Sequence, residues 1–368
     1  MADAEPPSVI GGRPLRRFWK SAVGFLRGRS GAAAWALIGL LAICVVLQLL
    51  VQYRLNLWNR DFFNALELRS GREIRHQGNL LLVLAAASTC LAVLAVWGRM
   101  AFQRRWRAWL TRRLIDAWLT ADRFRRLEVG AVEPQNAEYR ISEDARLATD
   151  APIDLAVGLL AALLSAGTFV VVLWNVGGAL YVDMGGGTVI IPGYLVVAAV
   201  IYASGTTGAM MLVGRRMAHV IERKNQAESD LRYAVGHVRE TAADRWIALD
   251  TGTVAHALRA ALDAVVDRWR WLAGQHMRTT LVSHGNSLLA PLVGLVLCVP
   301  NYVNGGLQLG EVTQAAGAFV AVQGAFNWLV DNYPRLAEWM SSASRVGILL
   351  DALDRLDAER PRATERAA

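Results

Sequence analysis

Lysine is nearly absent from this 368-residue chain. It occurs only at Lys20 and Lys224, and neither stands in the glycine-rich context of a GxxxxGK[ST] phosphate-binding loop. The chain therefore carries no ATPase centre of the common kind. Cysteine is almost as scarce. Cys44, Cys90 and Cys298 each lie inside an apolar stretch, with no CxxC pair and no Cys/His cluster, so they read as small apolar side chains rather than as metal ligands or disulfide partners. HExxH and GxSxG are missing too, which removes two common hydrolase signatures. Charge is low overall: 19% of residues, against about 25% in an ordinary soluble protein. The deficit is concentrated. Six stretches, 31–53, 79–98, 155–182, 184–213, 279–310 and 312–330, contain no Asp, Glu, Lys or Arg.

A bilayer core about 30 Å thick is crossed by about 20 apolar helical residues. Each stretch reaches or approaches that length, in a chain that is 54% hydrophobic with a positive mean hydropathy. The reading is an all-α membrane protein with six transmembrane helices. The alternative is a soluble bundle of six buried helices, but buried helices do not call for one-sided placement of arginine. Of the 39 Lys and Arg residues, 34 fall on one set of alternate segments (1–30, 99–151, 214–280, 333–368) and 5 on the other. That asymmetry places both termini in the cytoplasm of a multi-pass inner (plasma) membrane protein. It also argues against nucleic acid as a partner, because the net charge of +8 tracks the ends of apolar runs rather than one binding face.

The first apolar run starts near residue 31 and is too long for a cleavable signal. Residues 1–30 read as a cytoplasmic leader containing an amphipathic interfacial helix, the alternative being a disordered basic leader. Leu15, Phe18, Trp19, Ala22, Phe25 and Leu26 make its apolar side, and Arg16, Arg17, Lys20 and Arg27 its polar side. In the outer segment 54–78, Trp58, Phe62 and Phe63 suit a headgroup boundary, and Ser70-Gly71 marks a turn. Segments 99–151 and 214–280 are each long enough for a pair of helices projecting about 35 Å. Helix breaks are expected near Gly130–Pro134 and Thr251-Gly252. The glycines of Asn175–Ile191 predict a turn-rich outer connection, with Pro192 in an early turn of the fourth helix. The domain reading is a leader over 1–30, a six-helix membrane domain over 31–350 with cytoplasmic extensions at about 99–151 and 214–280, and a tail over 351–368 without a nucleotide-binding domain.

Several strings carry a resemblance. They are Leu55-Asn56-Leu57-Trp58-Asn59-Arg60-Asp61-Phe62-Phe63-Asn64-Ala65-Leu66; Trp106-Arg107-Ala108-Trp109-Leu110-Thr111; the run Asn136–Asp144; Ile191–Val196; Ala227–Tyr233 followed by Val238-Arg239-Glu240; and Gln314–Phe319 with Val322–Phe326, Asp331-Asn332-Tyr333 and Leu336–Trp339. Together, over about residues 15–350, they resemble the SbmA/BacA-like transporters. These are related to the membrane domain of YddA-type ATP-binding cassette (ABC) transporters and to the peroxisomal fatty-acid half-transporters. The resemblance implies an ABC exporter-like (type IV) transmembrane domain working as a homodimer by alternating access, with peptides or other bulky polar solutes as cargo. It departs from the YddA pattern in two places: no ATPase domain follows the sixth helix, and Ala243 and Asp244 stand where the family often has a further Glu.

Candidate residues follow from position. Gln323, Asn327, Asp331 and Arg335 recur every four residues and so share a helix face. That face lines a polar cavity or forms a hydrogen-bonded seam between helices. His284 and Asn286 are candidates for the same cavity, His284 otherwise being a hydrogen-bonded core residue. Arg140, Glu143 and Asp144, near the bend of the first extension, are coupling candidates or simply surface charges. The resemblance places Glu222, Glu228 and Glu240 where SbmA/BacA-like proteins couple to protons, although spacings of 6 and 12 do not align all three on one face. No metal site and no bound cofactor are expected. The chain is read as non-enzymatic, with two energy sources open: ATP through a separate ATPase subunit, or a proton gradient. A membrane scaffold or non-transporting relative is the alternative function.

Overall fold

The computed structural model describes residues 12–28, 31–125, 137–183, 188–243 and 250–358. Helices dominate: α1 (Gly12–Arg27), α2 (Gly31–Glu67), α3 (Gly71–Leu119), α4 (Ala145–Gly177), α5 (Tyr194–Gly214), α6 (Met217–Ala243), α7 (Thr251–Val303) and α8 (Leu309–Ala358), with strands β1 (Ala179–Asp183) and β2 (Thr188–Pro192) between α4 and α5. Among the described residues, five helical segments, starting at Gly31, Gly71, Ala137, Tyr194 and Thr251, are long and apolar enough to cross a membrane. The sixth expected span lies on α8, an unbroken helix in which Gln314, Gln323 and Asn327 dilute the apolar run. Apolar side chains on the spans stay largely uncovered, among them Ile43, Leu82, Val93, Ile201, Leu281 and Val296. Water would not tolerate so much contiguous apolar surface, whereas hydrocarbon accepts it.

The chain divides into two compact units. The first comprises Met1–Val172, Leu307–Gln314 and Asp331–Ala368. Within it, α2 and α3 form a helical hairpin closed at Leu68–Ser70. There Ser70 N–H donates to Ala65 O at 3.0 Å, and Arg69 takes a left-handed conformation (φ 52°). The expected turn sits at this place. The α3 stripe Gly98, Phe102, Trp106, Leu110 and Leu114, spaced by four, is buried. Phe18, Ala22 and Phe25 of α1 are buried as well, and the Phe25 ring stacks on Trp106 (6.2 Å, 12°) and meets Phe102 edge-on (5.7 Å). The apolar side of α1 that was expected to face headgroups thus packs on protein. A Cβ at Gly347 would collide with the carbonyl of Pro14, so α8 meets α1 at backbone distance there.

The string 55–66 has a structural task in this unit. Asn56 and Asn64, two turns apart, face the start of α8. Asn56 Nδ2 donates to Gln314 O (2.9 Å), Asn64 Nδ2 to Gln308 Oε1 (2.8 Å), and Asn64 Oδ1 accepts from Gly310 N–H (2.8 Å). A side chain at Gly310 would meet Arg60 O, so glycine is required. Trp58 stacks on Phe62 at 5.0 Å and donates through Nε1 to Gln77 O (2.8 Å), which fixes these rings as a packed cluster.

The second unit comprises Leu173–Gly306 and Ala315–Val330. Its connection before α5 is an antiparallel hairpin, Ala179 pairing with Pro192 and Asp183 with Thr188. This corrects two expectations: the segment contains strands as well as turns, and Pro192 ends β2 instead of opening a helix. Gly193 makes the corner at φ 62°, its N–H on Gly178 O at 2.9 Å, and a Cβ there would enter the Trp174 ring. Asn301 Nδ2 donates to Gly177 O (3.2 Å), and Tyr194 Oη to Leu297 O (2.8 Å), tying α7 to the hairpin base and to α5. Gly294 lets α7 approach Ala316 and Phe319 of α8 at contact distance, the small-residue packing expected where apolar surface alone cannot drive association.

The expected break at Gly130–Pro134 lies outside the described residues. A kink anticipated by no sequence signal precedes it, where Ala121 and Asp122 both have positive φ (56° and 54°). At the second break, Asp250 caps α7. Its carboxylate accepts from Thr253 Oγ1 (2.5 Å) and from the N–H groups of Gly252 (3.1 Å) and Thr253 (3.2 Å), which holds its pKa below the usual carboxylate value.

Candidate functional site

The run Arg140–Asp144 is a π-helical segment, wider than an α-helix and common at functional positions. Its extra residue turns Asp144 fully into the protein and leaves Glu143 half exposed. Glu143 pairs with its neighbour Arg146 at 2.6 Å. Asp144 takes the more demanding partner, Arg345, 201 residues away. Arg345 Nε donates to Oδ2 (2.8 Å) and Nη2 to Oδ1 (2.6 Å), while Ser341 Oγ and Ser342 Oγ accept from the same guanidinium at 2.6 and 2.8 Å. This fork binds the proton on Arg345 more tightly than in a free guanidinium, chiefly through the hydrogen bonds to Asp144. Arg140 occupies the same segment, half-buried.

One turn further along α4, Trp339 Nε1 donates to Ala148 O at 3.2 Å. Beyond Pro152, Asp154 collects three cationic or amide donors: Arg335, Arg99 at 3.6 Å and Gln103 Nε2 at 3.0 Å. Asp144 with Arg345, Ala148 with Trp339 and Asp154 with Arg335 form an antiparallel ladder between α4 and α8. It is buried at the Asp144 end and open at the Asp154 end, where a groove of about 640 Å³ is bounded by Gln103, Arg104, Arg107, Asp150, Asp154 and Arg335. The sequence reading picked out Asp144 and Arg335 but missed Asp154, Gln103 and Arg345. Asp154 carried one signal: it is the last charge before the uncharged stretch 155–182, just after a proline.

In the second unit, Gln323 is buried, Asn327 and Asn286 are half-buried, and His284 is exposed on α7. Asp331 belongs to the first unit and is exposed. Among the described residues, Gln323 Nε2, Asn286 Oδ1, Tyr202 Oη and Thr207 Oγ1 are buried without a hydrogen-bond partner. Four such groups on spans are costly unless water, cargo or another chain completes them. Glu222 is exposed with His219 at 3.9 Å. Glu228 lies in a different setting: it accepts from Trp269 Nε1 (3.1 Å), and Lys224 sits 3.5 Å from it and 4.8 Å over the same indole ring. Glu240 is on α6 with Glu222 and Glu228, and its side chain lies outside the described residues. Among the described residues no three His, Cys, Asp or Glu side chains are grouped to hold a metal.

The model of ABC transporter transmembrane region 2 matches residues 25–303. Relatives include the inner membrane ABC transporter ATP-binding protein YddA of Escherichia coli, 26% identical over 90% of this chain and 58% of its own length. An uncharacterized ABC transporter ATP-binding protein of Haemophilus influenzae is 22% identical over 87% of this chain and 54% of its own length. ABC transporter D family member 2, chloroplastic, of Arabidopsis thaliana is 22% identical over 81% and 40%. The chain spans about half the length of the curated relatives it matches, and its match falls in a membrane region rather than an ATPase region.

Proposed function

Since the chain belongs to the ABC transporter transmembrane region 2 family, we propose that it is the membrane subunit of an SbmA/BacA-like transporter, moving peptides or other bulky polar solutes across the inner membrane by alternating access as a homodimer. The observation that carries this reading is helix length. The 49 residues of α3 and the 53 of α7 would extend about 74 and 80 Å, more than twice a bilayer core, so each is both a span and a rigid lever beyond it. A lever of that kind transmits motion from a motor, or from a titrating group, to the membrane segment.

The unsatisfied groups Gln323 Nε2 and Asn286 Oδ1 support a polar lining that a second copy or the cargo completes. In this reading Asp144 and Arg140 brace the first extension, and ATP enters through a separate ATPase subunit seated on the extension ends. The second energy source, a proton gradient coupled through Glu222, Glu228 and Glu240, is favoured by the contrast between exposed Glu222 and indole-held Glu228 on one helix. Uptake into vesicles reconstituted with the purified protein tests the proposal. Peptide is supplied with a proton gradient alone, then with ATP and a candidate ATPase. Accumulation in either arm supports transport and names the energy source; accumulation in neither arm favours the scaffold reading.

A further inference from the structure

A second groove of about 890 Å³ runs along α3, sharing Arg104 and Ala108 with the first and bounded also by Arg105, Trp109, Arg112, Arg113 and Asp116. Four guanidiniums and one carboxylate give this surface a net charge of +3 over little more than three turns. All four arginines are exposed. Among the described residues none of Arg104, Arg105 and Arg112 makes an ion pair, and Asp116 is the one carboxylate lining the groove with them, so positive charge is in excess there. Arg113 lies 5.4 Å over the Trp109 ring, which orders one cation at the groove wall.

The height of the groove selects its ligand. Ala33, at the start of the uncharged stretch 31–53, also lines it, and Arg104 follows the end of the stretch 79–98 by less than two turns. The groove therefore sits where the apolar spans of α2 and α3 end. Trp97 and Met100 are exposed (59% and 64%) and share the face of Arg104 at spacings of seven and four, an apolar track that leads from the span past the first groove to Arg104, which lines both grooves. An indole at the boundary, arginine above and apolar surface below match a phospholipid. Guanidinium forks bind phosphate oxygens in pairs, and four of them suit two phosphates. We infer that this groove is a binding site for an anionic phospholipid, with a diphosphatidyl headgroup fitting best.

The test uses the full chain, delipidated in detergent and titrated with diphosphatidylglycerol, phosphatidylglycerol, phosphatidylcholine or soluble pyrophosphate. Bound lipid is read by native mass spectrometry and stabilisation by the thermal midpoint. Diphosphatidylglycerol should remain bound at one per chain and raise the midpoint, phosphatidylcholine should do neither, and pyrophosphate should stabilise less. Each basic residue at such a surface contributes about fivefold. The combined change Arg104→Gln, Arg105→Gln and Arg112→Gln should therefore weaken lipid binding about 100-fold, while Arg259→Gln with Arg278→Gln on α7 should leave it unchanged. Should the triple variant fail to fold, Arg105→Gln and Arg112→Gln are measured singly against a fivefold loss. Binding unchanged in the groove variants, equal loss in the α7 variant, or equal retention of phosphatidylcholine overturns the site. Equal stabilisation by pyrophosphate overturns the lipid as its occupant.

Discussion

Replacing Arg345 by Leu strands the Asp144 carboxylate in a place where 1% of its side chain is exposed, while the guanidinium it loses was 33% exposed. That asymmetry sets the magnitudes. Breaking a buried ion pair from one side costs about 3–5 kcal/mol, and the partial exposure of Arg345 argues for about 3. Asp144→Asn preserves volume and leaves behind a guanidinium that reaches water and still donates to Ser341 and Ser342, so it should cost only about 1–2 kcal/mol. At about 2–4 °C per kcal/mol, the thermal midpoint in detergent should fall by about 6–12 °C for Arg345→Leu and by about a third to two thirds of that for Asp144→Asn. The double variant removes both charges and should recover at least about 1 kcal/mol relative to the sum. Since the pair is enclosed, the difference should persist in about 1 M salt, where exposed pairs are screened. A larger loss for Asp144→Asn, strict additivity in the double variant, or disappearance of the effect in salt would refute the claim that this pair is a buried structural brace.

Gly310→Ala should destabilise the chain by about 1–3 kcal/mol, because the added methyl meets Arg60 O and displaces Asn64; limited proteolysis of the Leu307–Gln314 region reports it. Cys90 is exposed while Cys44 and Cys298 are buried. A water-soluble maleimide should nevertheless label none of the three in intact vesicles, since the exposed face of α3 meets lipid; rapid labelling of Cys90 would place that face in water. Glu228→Gln keeps an acceptor for Trp269 and loses only an i,i+4 ion pair, so the thermal midpoint should move by less than about 0.5 kcal/mol equivalent. A fall in cargo-driven proton flux in that variant, or in Glu222→Gln or Glu240→Gln, then reports coupling rather than misfolding, and unchanged flux in all three sinks the proton relay. The Asp250 cap has a lowered folded pKa, so its stabilisation is present above the unfolded carboxyl value and is lost as pH falls through the folded value. Hydrogen exchange at the first turn of α7 should therefore accelerate only below about pH 4.

The membrane spans were legible because a bilayer imposes a minimum uncharged length that no other environment demands, and the turn at Leu68–Ser70 was legible because Ser70-Gly71 interrupts an apolar pattern. The hairpin was not. Its strands, Ala179–Asp183 and Thr188–Pro192, are five residues each and lie almost wholly inside the uncharged runs 155–182 and 184–213, where the glycines made Asn175–Ile191 read as a turn-rich connection and Pro192 as the start of a helix. The partner of α1 was hidden for another reason. Phe18, Ala22 and Phe25 make an apolar stripe that suits headgroups and α3 equally, and only tertiary contact decides between them.

The α4–α8 ladder was the least legible feature, and its form explains why. Asp144 and Arg345 are 201 residues apart and Asp154 and Arg335 are 181 apart, so no local periodicity links either pair. In sequence, Asp154 and Arg335 are charges near the ends of uncharged runs, and Asp144 and Arg345 are charges within polar segments. Only when two helices pass in opposite directions do the charges fall opposite one another, with Trp339 on Ala148 between them. The two ends then differ in kind. Asp144 is 1% exposed against 13% for Asp154, and Arg345 33% against 47% for Arg335; the Asp154 pair also faces the 640 Å³ groove, so water reaches it more readily and separating it costs less. If alternating access moves α4 against α8, separation must begin at Asp154 and stop before Asp144. In that case the Asp144–Arg345 pair would be the pivot, and Asp144, a coupling candidate or simple surface charge in the sequence, would act by staying where it is.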